Sequence, residues 1–217
     1  MTIRKIACWR DGSKATHPTG WEICQYQPAV PDRNVYYGQR GGSADPTNTF
    51  GYGSSTGLGD VFRDRSTGGG AYDLVITGLF WLPSTTHYFR IDLPSGAGTY
   101  DVKQWCSDTN GNAQSSNLQF EDGSTGTVLH TSTKTSTSTQ VVDIDGTLTA
   151  FASWNWTSAP AQSMTFTQDH VRIRASTSGN QFFDGFSFEL SGSPPAANFY
   201  NPFISKTFNN NYTRRIR

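Results

Sequence analysis

The stretch HYFRIDLPSGAGTYDVKQWCSD, residues 87–108, decides the fold class of this chain. On both sides of a turn of proline and glycine, residues 94–98, apolar residues alternate with polar ones. A period of two is typical of a β-strand with one buried face. We therefore predict a hairpin of two strands in which Trp105 faces outward. The residues expected to be buried are Phe89, Ile91, Leu93, Tyr100 and Val102.

Similar strand signals recur through residues 58–190, separated by turns rich in Gly, Asp, Ser and Asn. No window has the periodicity of a helix. About eight to ten short strands at this spacing predict an all-β protein, an antiparallel β-sandwich of the jelly-roll kind.

The chain divides into three parts on composition. We predict an irregular N-terminal arm over residues 1–57, with short strands near residues 3–9 and 21–26. The jelly-roll domain is predicted over residues 58–192, and a C-terminal tail over residues 193–217. Both ends carry aromatic residues that linkers usually lack, so we expect them to dock on a partner rather than fray. The expected assembly contacts in the tail are Phe199, Tyr200, Phe203, Arg214, Arg215 and Arg217.

Composition excludes some partners and favours others. The formal net charge is zero, which leaves no global field to attract nucleic acid or a membrane. The chain has 12 Arg against 5 Lys, 14 Asp against 3 Glu, and 29 aromatic residues. Arg and aromatic residues are enriched in protein interfaces, while Lys and Glu are depleted there. Turn-rich β structure also explains the excess of Asp.

The residues near Met1 contain no apolar stretch of signal-peptide length, and no segment is long enough to span a bilayer. We therefore expect synthesis in a cytoplasm without export. The cysteines, Cys8, Cys24 and Cys106, do not have the spacing of a zinc site. Cys106 is expected to be a buried thiol, and a bridge between Cys8 and Cys24 is left open.

One short segment matches a catalytic motif, but the sequence around it does not predict the fold that the motif requires. Residues 141–149, VVDIDGTLT, match the first motif of haloacid-dehalogenase-like phosphatases. That chemistry needs a parallel sheet with crossover helices, a downstream lysine and a further acidic pair. A hairpin with a turn at Asp145-Gly146 explains the string better. No nucleophile motif is present, so we expect no enzymatic activity.

Four residues are candidates for binding: Trp105, Trp156, Arg172 and Arg174. An exposed tryptophan often marks a contact site, and Trp105 is the better surface candidate because Trp154 and Trp156 share the apolar parity of their predicted strand. Two arginines on one strand face can clamp a carboxylate, or simply be solvated. The aspartates Asp122, Asp143 and Asp145 could ligate a structural calcium ion, but turn chemistry explains them equally well, and we expect neither a metal site nor a cofactor.

Residues 75–190 resemble galactose-binding-like jelly rolls. The resemblance is carried by residues 89–94, FRIDLP, by Gly98, Tyr100 and Val102 after the turn, and by residues 182–190, FFDGFSFEL. Modules of this kind appear in carbohydrate-active enzymes and in bacteriophage particle proteins that lack signal peptides.

The resemblance and the composition together lead us to expect a structural component of a bacteriophage virion. It would be a capsid decoration or tail-associated protein that binds neighbouring virion proteins or copies of itself through its arms. The alternative is a carbohydrate-binding module that recognises a surface glycan. A third and weaker hypothesis is a glycan-cleaving enzyme that uses scattered carboxylates.

Overall fold

The structure is a computed structural model that describes residues 3–9, 21–25, 50–53, 62–64, 78–82, 88–109 and 111–192. In these ranges there are fifteen strands, one 3-10 turn at Gly123–Thr125 and no α-helix. The strands are β1 Ile3–Trp9, β2 Glu22–Gln25, β3 Phe50–Gly53, β4 Phe62–Asp64, β5 Gly78–Leu82, β6 Tyr88–Asp92, β7 Gly98–Cys106, β8 Ser115–Asp122, β9 Val128–Thr135, β10 Gln140–Asp143, β11 Leu148–Ala150, β12 Gln162–Phe166, β13 His170–Ala175, β14 Gln181–Phe183 and β15 Gly185–Leu190.

Two main sheets form a β-sandwich, which confirms the predicted fold class. A seven-stranded sheet has the order β11-β10-β7-β15-β1-β2, and β12 also pairs with β7. A five-stranded sheet has the order β3-β6-β13-β8-β9, and a smaller third sheet has the order β14-β5-β4. All the pairings are antiparallel except that of β1 with β2.

The predicted strands around residues 94–98 are present, but they do not form a hairpin. β6 pairs with β3 and β13 in the five-stranded sheet, whereas β7 pairs with β10, β12 and β15 in the seven-stranded sheet. The turn therefore carries the chain from one sheet to the other. The hydroxyl of Tyr100 donates to the carbonyl oxygen of Gly96 at 2.9 Å and accepts from the backbone nitrogen of Ser95 at 3.1 Å. These bonds hold the turn against the start of β7.

The crossover places the apolar faces of β6 and β7 against each other in one core. The five residues predicted to be buried are at most 6% exposed. Phenylalanines of β15 fill the space between the sheets, and the ring of Phe186 lies 6.2 Å from that of Phe89 and 6.1 Å from that of Phe120. Close packing of aliphatic and aromatic side chains from two sheets is the main source of stability in such a sandwich.

Strands from the first 57 residues belong to the sandwich. β1 pairs with β15, β2 pairs with β1, and β3 pairs with β6. The short strands predicted near residues 3–9 and 21–26 are thus present, but they extend the sheets instead of lying outside them. Cys8 and Cys24 are opposite each other in the register of β1 and β2. For the rest of residues 1–57 the arm stays a prediction.

The hairpin predicted at Asp145-Gly146 is present, with β10 and β11 antiparallel on either side. The strand predicted to carry Trp154 and Trp156 is shorter than expected, because β11 ends at Ala150. The residues that follow turn back and cover the outer side of the seven-stranded sheet. Cys106 is buried as predicted, and burial raises the pKa of its thiol well above the usual value.

Candidate functional site

The outer side of the seven-stranded sheet carries a second layer of aromatic residues. Trp105 projects from β7 on the side opposite the core, as its position in the strand predicted, but it is 0% exposed. Its ring packs against Trp21 at 5.7 Å and against Trp154 at 5.5 Å between ring centroids. The expectation that Trp105 is a surface residue is therefore wrong, because the segment between β11 and β12 folds over it.

Glycine is required beneath this layer. A Cβ added at Gly185 would lie 2.5 Å from Cζ2 of Trp105 and 2.5 Å from the carbonyl oxygen of Ile6. The indole ring thus rests directly on the backbone of β15. This close approach explains how so large a side chain lies flat on a sheet whose other side faces the main core.

Trp156 lies at the rim of the aromatic layer and is half-buried. It meets Trp21 edge to face, with 5.2 Å between the ring centroids. The ammonium nitrogens of Lys5 and Lys103 lie 4.8 Å and 5.6 Å from the centroid of the Trp156 ring. An accessible indole beside two cations can stack on a sugar ring or on an apolar side chain of a protein partner.

The two lysines beside Trp156 are held differently. Lys103 donates to the carbonyl oxygens of Trp156 at 3.0 Å and Thr157 at 2.9 Å, so it anchors the covering segment. Burial lowers the pKa of the Lys103 ammonium, and the carboxylates of Glu189 and Asp143 partly oppose that effect. The Lys5 ammonium lies over the rings of Trp21 and Trp156 and forms no salt bridge with a carboxylate among the described residues. Its ammonium is therefore available to an anionic ligand.

A buried carboxyl lies under the same layer. Asp143 is opposite Trp105 in the pairing of β10 with β7 and accepts a hydrogen bond from Nε1 of Trp154 at 3.0 Å. Burial raises the pKa of Asp143 to about 6. The Trp154 bond and the charge of Lys103 pull the pKa down without cancelling this effect, since removal from water is the larger influence.

The outer side of the five-stranded sheet carries arginines around one tyrosine. Tyr88, Arg90, Arg172 and Arg174, which we call the Arg–Tyr face, project from the paired strands β6 and β13. The guanidinium carbons of Arg172 and Arg174 lie 4.8 Å and 5.1 Å from the centroid of the Tyr88 ring. Stacking of this kind holds the two guanidinium groups in place without removing their charge.

Acidic groups neutralise part of this face. Arg174 pairs with Glu121 through Nε and Oε2 at 2.9 Å, and Arg90 pairs with Asp92 through Nε and Oδ1 at 2.7 Å. Arg172 instead donates from Nη2 to the hydroxyl of Ser124 at 3.0 Å. No carboxylate among the described residues forms a salt bridge with Arg172, which leaves it as a cation that can receive an outside carboxylate.

The four binding candidates therefore fall on two opposite sides of the sandwich. Trp105 lies in β7 of the seven-stranded sheet and Trp156 in the segment that covers this sheet, whereas Arg172 and Arg174 lie in β13 of the five-stranded sheet. Sequence reasoning missed Lys5 and Trp21, which reach Trp156 only through the pairing of β1 and β2. It also missed Tyr88, although its alternation with Phe89 and Ile91 placed it on the outer side.

The possible metal ligands and the predicted tail contacts remain to be placed. No group of three or more His, Cys, Asp or Glu side chains that could hold a metal occurs within the part of the chain that is described. The carboxylate of Asp122 accepts bonds from the Thr167 and Gln168 backbone, and that of Asp145 accepts from Thr147. The tail contacts predicted at Phe199, Tyr200, Phe203, Arg214, Arg215 and Arg217 lie outside the described residues.

No protein-family model and no curated protein match this sequence. Among solved structures, the fold is similar to a calcium-binding mutant of Bacteroides uniformis β-glucuronidase 2, at 13% identity and a TM-score of 0.44. The match covers 87% of this chain and 18% of that chain, so this chain spans less than a fifth of the glucuronidase. Among the described residues, no helix is long and apolar enough to cross a membrane. The fold class is an all-β sandwich.

Proposed function

We propose that this protein is a structural interaction component of a larger particle, in which it binds neighbouring subunits. The observation that supports this is the Arg–Tyr face, where one tyrosine ring holds two guanidinium groups at 4.8 Å and 5.1 Å. Arg and Tyr are the residue types that contribute most to protein interfaces. Because Tyr88 already restricts these arginines, less side-chain entropy is lost when a partner binds.

The particle we propose is a bacteriophage virion, with the protein as a capsid decoration or tail-associated component. The resemblance of residues 75–190 to jelly rolls of phage particles supports this assignment. Other virion proteins or further copies of this chain would be the partners. The C-terminal arginines Arg214, Arg215 and Arg217 would add contacts to acidic groups on those partners.

The test of the assembly function is an Arg172→Glu variant. Arg172 forms no salt bridge with a described carboxylate, so reversing its charge removes a docking cation without orphaning a buried acid. Binding is measured by co-sedimentation with the particle, or by light scattering when the partner is another copy of the chain. Arg172→Glu should bind at least about tenfold more weakly than the wild type, because loss of a hot-spot arginine costs more than about 1.4 kcal/mol of binding free energy. Lys134→Glu is the control, because it makes the same charge change on β9 away from the Arg–Tyr face, where among the described residues it removes only the bond from Nζ of Lys134 to the carbonyl oxygen of Asp145 at 2.9 Å. Equal binding by both variants and wild type would refute a role for the Arg–Tyr face.

The second candidate is a carbohydrate-binding module, and the half-buried Trp156 beside Lys5 favours it. The indole would stack on a sugar ring, and the ammonium of Lys5 would pair with a carboxylate or sulfate of an acidic glycan. Glycan-array binding by the full chain should disappear in Trp156→Ala and persist in Trp156→Phe at reduced strength. Arg172→Glu is the matched control from the opposite side of the sandwich. Glycan binding that Trp156→Ala leaves unchanged would refute this candidate.

A further inference from the structure

A chain of hydrogen bonds links a serine, a histidine and an aspartate at one end of the five-stranded sheet. Oγ of Ser124 lies 3.3 Å from Nε2 of His170, and Nδ1 of His170 lies 2.7 Å from Oδ1 of Asp169. Ser124 is exposed in the 3-10 turn after β8, and His170 begins β13 and is 5% exposed. A nucleophile, a base and a group that orients the base are thus in contact.

The local backbone holds these residues together. Gly123 has φ +51°, and a Cβ there would lie 2.6 Å from Cβ of Gln168 and 3.1 Å from Cε1 of His170. The turn can approach the segment before β13 only because this residue is glycine. The carboxylate of Asp122 accepts hydrogen bonds from the backbone nitrogens of Thr167 and Gln168, each at 3.0 Å. These contacts fix the 3-10 turn against the start of β13.

The neighbouring groups set the direction of the hydrogen bonds. Nη2 of Arg172 donates to Oγ of Ser124 at 3.0 Å, so the serine hydroxyl can donate its own proton to Nε2 of His170. Asp169 accepts from Nδ1 of His170, which selects the tautomer whose Nε2 is free to accept. The bond to His170 also lowers the pKa of Asp169, so this carboxyl is ionised at neutral pH. The order of donors matches that of a serine hydrolase.

We propose that Ser124, His170 and Asp169 form a hydrolytic site for short-chain carboxylic esters, with Arg172 as the oxyanion donor. Oγ of Ser124 attacks the carbonyl carbon of the ester while Nε2 of His170 takes the hydroxyl proton. The guanidinium of Arg172 donates to the carbonyl oxygen as it gains negative charge. His170 returns the proton to the departing alcohol as the carbon–oxygen bond breaks, leaving an ester on Ser124. Water, deprotonated by His170, then releases the carboxylic acid and restores the serine.

The surroundings of Ser124 favour a small acyl group. Ser124 is exposed, and its hydrogen-bond partners are the polar side chains of Arg172 and His170. A long acyl chain would therefore gain little from burial there, whereas an acetyl group needs no apolar surface. The distance of 3.3 Å between Ser124 and His170 is that of a site without substrate, where such bonds are often long.

The test is covalent labelling of the folded full-length chain with a fluorophosphonate probe, followed by peptide mass mapping. The probe should label Ser124 in the wild-type chain and should not label Ser124→Ala. His170→Gln should label roughly 100- to 10,000-fold more slowly, which is the usual range for loss of a general base. Ser153→Ala removes another exposed serine and should be labelled like the wild type. Absence of labelling in the folded wild-type chain, or labelling of a different residue, would overturn the proposal.

Turnover of p-nitrophenyl acetate gives a second measurement. The wild-type chain should hydrolyse the acetate ester faster than the decanoate ester, and Ser124→Ala should reduce the rate to that of buffer. Asp169 is a positioning residue, so Asp169→Asn should slow turnover and Asp169→Glu should restore part of it. Equal turnover by wild type and Ser124→Ala would contradict the proposal. The assembly function does not depend on this outcome, since Ser124→Ala keeps Arg172 and the rest of the Arg–Tyr face.

Discussion

Replacement of Trp105 by alanine tests whether the outer aromatic layer is part of the structural core. Trp105 is 0% exposed, and its ring contacts two other tryptophans and the backbone of Gly185. Truncating a buried tryptophan costs about 3–5 kcal/mol, because transfer free energy is lost and a cavity remains. For a chain of this length each kcal/mol lowers Tm by about 2–4 °C, so we expect a decrease of roughly 6–20 °C.

The assay compares Trp105→Ala with Trp156→Ala in thermal and urea denaturation. Trp156 is half-buried, so its removal mainly loses the edge-to-face contact of its ring with Trp21, worth about 0.5–1.5 kcal/mol, and the contacts with Lys5 and Lys103, worth about 0.5–1 kcal/mol each. Trp105→Ala should therefore unfold at a much lower temperature than Trp156→Ala. If Trp105→Ala were as stable as the wild type to within about 1 kcal/mol, the argument for a second packed layer would fail.

Three further changes test other parts of the structure. Gly185→Ala should destabilise the fold by about 1–3 kcal/mol or more, since its Cβ would lie 2.5 Å from the carbonyl oxygen of Ile6; unchanged urea denaturation would contradict this. Burial raises the pKa of Asp143 from 3.8 to about 6, so the folded state binds this proton more tightly than the unfolded state, and stability falls as pH rises from about 4 to above 6. Asp143→Asn can still accept the hydrogen bond from Trp154, so it should stabilise the folded state by up to about 3 kcal/mol at pH 8 and by little at pH 4. A difference in unfolding free energy between variant and wild type that did not change with pH would refute the raised pKa of Asp143. Tyr100→Phe removes two hydrogen bonds to the crossover turn and should cost about 1–3 kcal/mol in urea denaturation, whereas a neutral effect would show that the turn is held by its own backbone.

Alternation along the chain predicted most strands and the side chains that face the main core. Phe89, Ile91 and Val102 are buried as expected, since a strand with one apolar side must turn that side toward the core. The turn at Asp145-Gly146 was also predicted, because a glycine with positive φ is favoured in a hairpin. These features depend on residues close together in the chain, so local patterns were sufficient.

The same reasoning failed where the outcome depended on distant parts of the chain. Apolar and polar residues alternate in the same way on either side of Pro94 whether the two strands pair as a hairpin or belong to different sheets. Their pairing with β13 and β15, far along the chain, decided in favour of the crossover. Trp105 was placed correctly on the outer side but not as a buried residue, because a segment some fifty residues later covers it.

The sequence by itself determined the all-β class, the positions of most strands and the side of each strand that carries apolar residues. Only the tertiary structure decided which polar side chains meet. Ser124 and His170 are 46 positions apart and became neighbours because the 3-10 turn after β8 packs against the start of β13. Arg172, Arg174 and Tyr88 likewise met through the register of β13 with β6. Local periodicity reports which way a side chain points, whereas sheet pairing brings distant side chains into contact, and that pairing is chosen by the packing of the whole core.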